Sequence, residues 1–331
     1  MRAALRDFRD VIRKGGGVTE WIWKGQPSEA ASIEWMLGDS VVPGMRHRVA
    51  FHFASQSFWL TEEQVYSYNQ EEYRYRGGSA MINPAGSGLR ALALTEPDKS
   101  ILAQRRDPEL YPIFEALIYN YEKVRIFREW NFGRNSIYRK PQPTDMPEAV
   151  LEEDFSNLGL FLNHLKTNFP AAKRAILAGL KDLYDGIDDF NFSVKGGTIQ
   201  MFLTEGDFTI PATRLSDGTL RYLCLLAILC DPEPPPLICI EEPELGLHPD
   251  ILPKLADLLR AASERTQLIV TTHSEILVDA MTETPESVVV CSKRDGQTIM
   301  ERLKAEDLGV WLEKYRLGSL WISGQIGGTR W

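Results

Sequence analysis

The sequence predicts an α/β fold, with a parallel sheet in the C-terminal part and an antiparallel β meander in the N-terminal part. Two patterns carry that reading. From Thr213 onward, short apolar runs alternate with helical segments, as a parallel sheet with crossover helices requires. Between residues 30 and 77, apolar and aromatic residues alternate with polar ones at a period of two, and turn signals separate the runs. With 331 residues, 44% of them hydrophobic, the chain can build one large core or two smaller ones.

Residues 1–14, MRAALRDFRDVIRK, place Leu5, Phe8, Val11 and Ile12 on one helical face, and Gly15 to Gly17 end that helix. No Ser, Thr, Asp or Asn stands before it as a cap, a pattern expected both of an uncapped helix that starts at Met1 and of a chain cut in mid-element. In the meander, Arg48, Ala50 and His52 alternate with Val49, Phe51 and Phe53, and aromatic segments follow over 58–68 and 73–75. Val42-Pro43-Gly44 and Arg76-Gly77-Gly78 supply turns. From about 100 to 185 the pattern is mostly helical, most clearly over 151–168 and 171–184. A hairpin over 190–204 turns at Lys195-Gly196-Gly197. A helix (220–230), a proline-rich loop, a strand (237–240), a helix (249–263), a strand (267–271), a short helix (274–281) and a strand (287–291) complete the alternation.

The formal net charge of −9 excludes a surface that is basic everywhere and binds nucleic acid nonspecifically. Two local basic clusters are candidates for nucleic-acid contact, DNA among them: Lys123, Arg125, Arg128, Arg134, Arg139 and Lys140, and the pair Arg105 and Arg106. Runs of this size also occur as plain solvated faces. Cys224, Cys230, Cys239 and Cys291 lie in apolar stretches without a CxxC pair, which reads as small buried residues in a reducing compartment, with neither disulfide nor zinc. No apolar leader or membrane-length run occurs, so no membrane is expected and the cytoplasm is the expected location.

Leu237-Ile238-Cys239-Ile240-Glu241-Glu242 is the chemically pointed segment, a buried strand ending in two adjacent carboxylates. Ligands in open α/β sheets sit at the carboxyl ends of strands, where one acid can hold Mg²⁺ and the other orient or deprotonate water. Upstream, Leu215-Ser216-Asp217-Gly218-Thr219 starts a helix whose free N–H groups suit a phosphate. Downstream, Thr271-Thr272-His273-Ser274 ends the next strand with a histidine. Taken singly, these segments also read as a solvated strand end, a serine cap and a structural histidine.

Together and in this order they resemble the ABC-type ATPase heads of the SMC and RecF class, and within it bacterial AAA ATPases related to the nucleotide-binding half of OLD-family proteins. LSDGT is similar to the ABC signature, ICIEE to the Walker B strand, PELGLHP to the D-loop and TTHS to the switch histidine. The resemblance implies a P-loop NTPase fold, ATP and Mg²⁺ as cofactors, Glu241 on the Mg²⁺ side, Glu242 as catalytic base and His273 at the γ-phosphate. It makes Gln104 a candidate sensor of Mg²⁺ and γ-phosphate. It also implies a homodimer, with Ser216 and Gly218 acting on the nucleotide held by the other copy.

By the same resemblance, residues 1–103 are the remnant of an N-terminal lobe, 104–185 a helical insertion and 186–331 the C-terminal lobe. The insertion is too short for a long coiled coil, which implies a compact head. The ending from Leu317 to Trp331 is similar to the native terminus of this group. A P-loop needs GxxxxGK[ST], which occurs nowhere in the chain. The P-loop strand is therefore expected to be missing, which implies weak ATP binding and exposed sheet surface. Two roles are implied: an ATPase in DNA repair or anti-phage defence with a separate nuclease or toxin partner, or an inactive head that serves an intact ATPase. A non-functional fragment is the third alternative.

Overall fold

The computed structural model describes residues 31–38, 44–54, 57–94, 96 and 99–327. The helix read over 1–14, its glycine run, Val42, Pro43 and the last four residues lie outside the described residues. The chain forms two compact units, Met1–Val124 and Arg125–Trp331. The stretch 104–185 expected as a helical insertion is divided between them at Val124 and Arg125.

The first unit is built on a six-stranded antiparallel sheet whose strands follow in sequence order: β1 (Ala31–Leu37), β2 (Met45–Ala54), β3 (Ser57–Ser67), β4 (Gln70–Arg76), β5 (Ser79–Ile82) and β6 (Arg90–Leu92). The meander therefore runs two strands beyond the predicted 30–77. Met45, His47 and Val49 face the core, but a bulge between Ala50 and Phe51 breaks the alternation and buries both of those residues. Helices α1 (Ile101–Gln104) and α2 (Pro112–Lys123) follow, and α2 lays Phe114, Leu117, Ile118 and Tyr121 into the core. Buried polar groups fasten these layers. His47 Nε2 lies 3.0 Å from Glu63 Oε1 and its Nδ1 2.9 Å from the Tyr121 hydroxyl, while Glu63 also accepts from the Ser100 hydroxyl and the Ile101 N–H.

The second unit runs β7 (Arg125–Phe127), β8 (Gln142–Pro143), α3 (Leu158–Asn168), α4 (Pro170–Leu183), β9 (Asp189–Lys195), β10 (Thr198–Glu205), β11 (Phe208–Pro211), α5 (Asp217–Leu229), β12 (Leu237–Glu241), α6 (Leu252–Ser263), β13 (Gln267–Thr271), α7 (Glu275–Asp279), β14 (Val289–Arg294), β15 (Gln297–Arg302), α8 (Ala305–Leu312) and α9 (Leu317–Ile322). The expected hairpin is β9 with β10, turning at Gly196 and Gly197. Helix α5 is buried on every side from Leu220 to Leu229, the mark of a central helix, with α3, α4 and α6 packed around it.

The parallel sheet has the order β13, β12, β7. Its third strand comes from the stretch read as helical. The strand expected over 287–291 instead pairs antiparallel with β15, because Asp295 and Gly296 both take positive φ and fold the chain back at once. Aromatic packing explains why 125–157 holds no α-helix, only a 3-10 turn at Ile137–Arg139: Trp130 and Phe127 stack on Phe155, and Phe132 packs on Tyr138. Phe155 takes a φ of 59°, so α3 begins only at Leu158, not near 151. Of the cysteines, Cys224 and Cys230 are buried, but Cys239 is half-buried and Cys291 is exposed. The two-stranded β14–β15 ribbon leaves Cys291 facing outward, which corrects the expectation that all four are interior.

On one face of the parallel sheet, Ile238 and Ile240 enter the core. On the other, Ile126, Cys239 and Ile269 stand in register across the three strands, with Ile126 39% and Ile269 49% exposed. Among the described residues, no helix is long and apolar enough to cross a membrane.

Candidate active site

The site gathers at the carboxyl ends of β12 and β13, where strand pairing itself sets the acids. Glu241 pairs in register with Thr271 and its side chain is exposed. The amide of Glu242 donates to the Thr271 carbonyl at 2.9 Å. The backbone then turns: Glu242 takes a φ of 44°, in the left-handed region, and its carbonyl accepts from the Leu245 N–H at 3.2 Å. That turn aims the carboxylate at the end of β13, where Glu242 Oε1 lies 3.5 Å from Nε2 of His273. The imidazole is 79% exposed and the Glu242 side chain 33%. Here a carboxylate and an imidazole meet water together, as proton transfer requires.

The histidine is held from the loop that follows the acids. Glu244 Oε1 accepts both the Thr272 hydroxyl and the His273 N–H at 2.7 Å. Two further side chains hold the backbone of the acids. Trp130 Nε1 donates to the Glu241 carbonyl at 2.8 Å, and Arg221 Nη2 donates to the Glu242 carbonyl at 2.7 Å. Burial pushes the Arg221 guanidinium below its ordinary pKa, opposed by the charges of Glu244 and Glu242.

The start of α5 packs against the same loop. Ser216 caps the helix, its hydroxyl accepting from the Thr219 N–H at 3.0 Å. A Cβ on Gly218 would stand 3.0 Å from the Gly246 carbonyl, so the glycine permits close approach of the two segments. Arg139 fixes this turn from beneath. It donates to the Leu215 carbonyl and to the Asp217 carboxylate, which also accepts from the Gly133 N–H at 3.1 Å. Its guanidinium holds the Asp217 carboxyl below the usual carboxylate range. Arg139 is thus a buried structural residue, not the surface member of a basic cluster that its neighbours suggested.

The structure brings Glu242 and His273 together, places Glu241 one residue away, and joins the turn carrying Ser216 and Gly218 to the loop after them. Gln104 belongs to the first unit. Its carboxamide is engaged there, Nε2 donating to the carbonyls of Glu96 at 2.9 Å and Lys99 at 2.8 Å. Sequence reasoning missed Arg221, Trp130, Glu244 and the inward role of Arg139. Arg221 had a signal: a lone charge inside the apolar run of α5 must find a partner. Trp130 lies far along the chain from every segment of the motif series, 85 residues before the first of them at Leu215, and had none.

No group of three or more His, Cys, Asp or Glu side chains among the described residues is placed to hold a metal. Glu241 alone offers one exposed carboxylate, which suits Mg²⁺ only when nucleotide phosphates and water complete the shell.

A family model described as "AAA domain, putative AbiEii toxin, Type IV TA system" matches residues 89–279. The match covers more than half of the chain and takes in every motif from Ser216 to His273. The chain belongs to this AAA-domain family, in agreement with the resemblance read from the motifs. No curated protein matches it. Among solved structures, an SMC head bound to the C-winged helix domain of ScpA is 14% identical, with 82% of this chain and 79% of that chain covered and a TM-score of 0.43. An SMC head domain from Pyrococcus furiosus with an extended coiled coil, bound to the C-terminal domain of ScpA, is 13% identical, with 84% and 82% covered and a TM-score of 0.39. The SMC head domain from Thermotoga maritima is 13% identical, with 81% and 78% covered and a TM-score of 0.33. Scores of this size are too low to assign a residue role.

Proposed function

We propose that this chain carries the hydrolytic half of an ATPase site of the dimerising RecF and SMC type. The observation that carries this reading is the Glu242–His273 pair at the ends of two parallel strands, beside the exposed carboxylate of Glu241. Glu242 takes the proton of the attacking water, and His273 steadies the water or the phosphoryl oxygen beside it. Glu241 is the Mg²⁺-side acid, and bound Mg²⁺ supplies neutralisation of phosphate charge. Ser216 and Gly218 present the N-terminus of α5 to a nucleotide held by a second copy. DNA repair or anti-phage defence, with a nuclease or toxin partner, is the biological setting that fits such a head, and the family description supports a toxin-linked role.

No GxxxxGK[ST] occurs in the 331 residues, so the phosphate cradle has to come from outside them. The half-exposed row of Ile126, Cys239 and Ile269 supports the same view, since parallel sheets are normally covered on both faces. This absence also favours a second reading, in which the chain is an inactive head that lends its Ser216 face to an intact ATPase. Phosphate release from Mg-ATP separates them. Turnover that Glu242→Gln removes supports the first reading. Stimulation of an added intact ATPase, lost in Ser216→Arg but kept in Glu242→Gln, supports the second.

A further inference from the structure

We infer that Arg221 is a positioning residue that locks Glu242 in its left-handed backbone conformation and couples the aim of that carboxylate to the N-terminus of α5. The inference rests on the proposed role of Glu242, but its geometric half stands on the structure by itself.

A residue with a side chain pays a steric cost at positive φ, because Cβ crowds the neighbouring carbonyl, and it remains there only when its surroundings hold it. At Glu242 the surroundings are specific. The amide is fixed by the Thr271 carbonyl and the carbonyl by the Arg221 guanidinium at 2.7 Å, while Trp130 fixes the preceding carbonyl at 2.8 Å. Arg221 has little freedom to do otherwise. It is 5% exposed, and its guanidinium lies 4.4 Å from the centre of the Trp130 ring and 5.5 Å from that of Phe132. Those two rings are nearly parallel, 9° apart, and form a platform beneath it.

Arg221 also belongs to the first turns of α5, the helix that Ser216 caps and at which Gly218 meets Gly246. The helix is rigid and buried, so a ligand that shifts its N-terminus moves Arg221 with it. The backbone of Glu242 then follows through a single charge-assisted hydrogen bond. Arg221 therefore joins the segment proposed to act on another copy's nucleotide to the base proposed to act on its own. Lysine reaches with one ammonium and lacks the planar fork that stacks on Trp130 while donating to the carbonyl, so it replaces arginine only in part.

The test compares wild type, Arg221→Lys and Arg221→Met by amide hydrogen exchange and by Mg-ATP turnover. Exchange in the peptide spanning 241–247 is expected to rise about ten-fold in Arg221→Met and less in Arg221→Lys, with α3 and α4 unchanged. Where wild type hydrolyses ATP, kcat is expected to fall about ten-fold with KM within about two-fold, and Arg221→Lys to recover part of the loss. Unchanged exchange at 241–247 overturns the inference, and so does raised exchange with kcat unaltered in an active protein. Should Arg221→Met fail to fold, Arg221→Lys against wild type decides on the same readouts. If wild type and Glu242→Gln release phosphate equally, the proposed function has failed, while the exchange result still decides whether Arg221 holds Glu242.

Discussion

At the scale of single residues, the site depends on one unfavourable backbone conformation. Glu242 at a φ of 44° sets its carboxylate beside His273, and an extended residue there would continue the strand and carry the acid away. Removing the side chain and relieving the backbone are separable. Glu242→Gly and Glu242→Ala both delete the carboxylate, but only glycine escapes the steric cost. Glu242→Gly is therefore expected to be about 1 kcal/mol more stable than Glu242→Ala, read as urea midpoints. Equal midpoints would mean that the conformation carries no strain. Asp217 behaves differently, because its ionised form is the favoured one. Arg139 lowers its pKa in the folded chain, so the pair stabilises the fold above the ordinary carboxylate range, and that contribution is lost as pH falls through the lowered value. Wild type and Asp217→Asn should differ in urea midpoint at neutral pH and converge in strong acid. A gap that persists at low pH would show that Asp217 acts without its charge.

At the scale of elements, α5 is the hub. It presents Ser216 at its N-terminus, carries Arg221 one turn further on, and buries its whole circumference among α3, α4 and α6. The close seating of α9 on α7 illustrates how sharply helices can be matched. A Cβ on Gly318 would stand 2.6 Å from the Glu275 carbonyl and 2.5 Å from Asp279 Oδ1, the atom that accepts the Gly318 N–H. Gly318→Ala is expected to cost about 2 kcal/mol, measured by urea denaturation, whereas a neutral effect would mean that α9 shifts freely. Elements set by local pattern were legible in the sequence. The strand at 267–271, the Gly196-Gly197 hairpin and the apolar helix α5 all followed from periodicity and turn chemistry. Elements set by distant partners were not. Strand β7 is three residues long and exists because β12 lies beside it, and the loop after it is ordered by aromatic stacking that has no period. The site divides the same way. Glu241, Glu242 and His273 follow short motifs at strand ends, while Trp130 reaches them across the fold from a loop without a pattern.

At the scale of the whole molecule, the chain comprises two compact units, one on an antiparallel meander and one on a short parallel sheet that holds the acids. The acids, the histidine and the capped helix are the parts proposed to serve the hydrolytic and second-copy sides of a nucleotide site. Its phosphate cradle has no counterpart among the 331 residues. The most direct test expresses the chain together with any open reading frame found upstream of Met1 and follows phosphate release from Mg-ATP, with Glu242→Gln as the comparison. The expected result is an extended protein that contains a strand followed by GxxGxGK[ST], hydrolyses ATP, and loses about a hundred-fold or more of its turnover in Glu242→Gln. An unrelated or interrupted upstream sequence, or turnover that Glu242→Gln leaves unchanged, would contradict a hydrolytic role for this site.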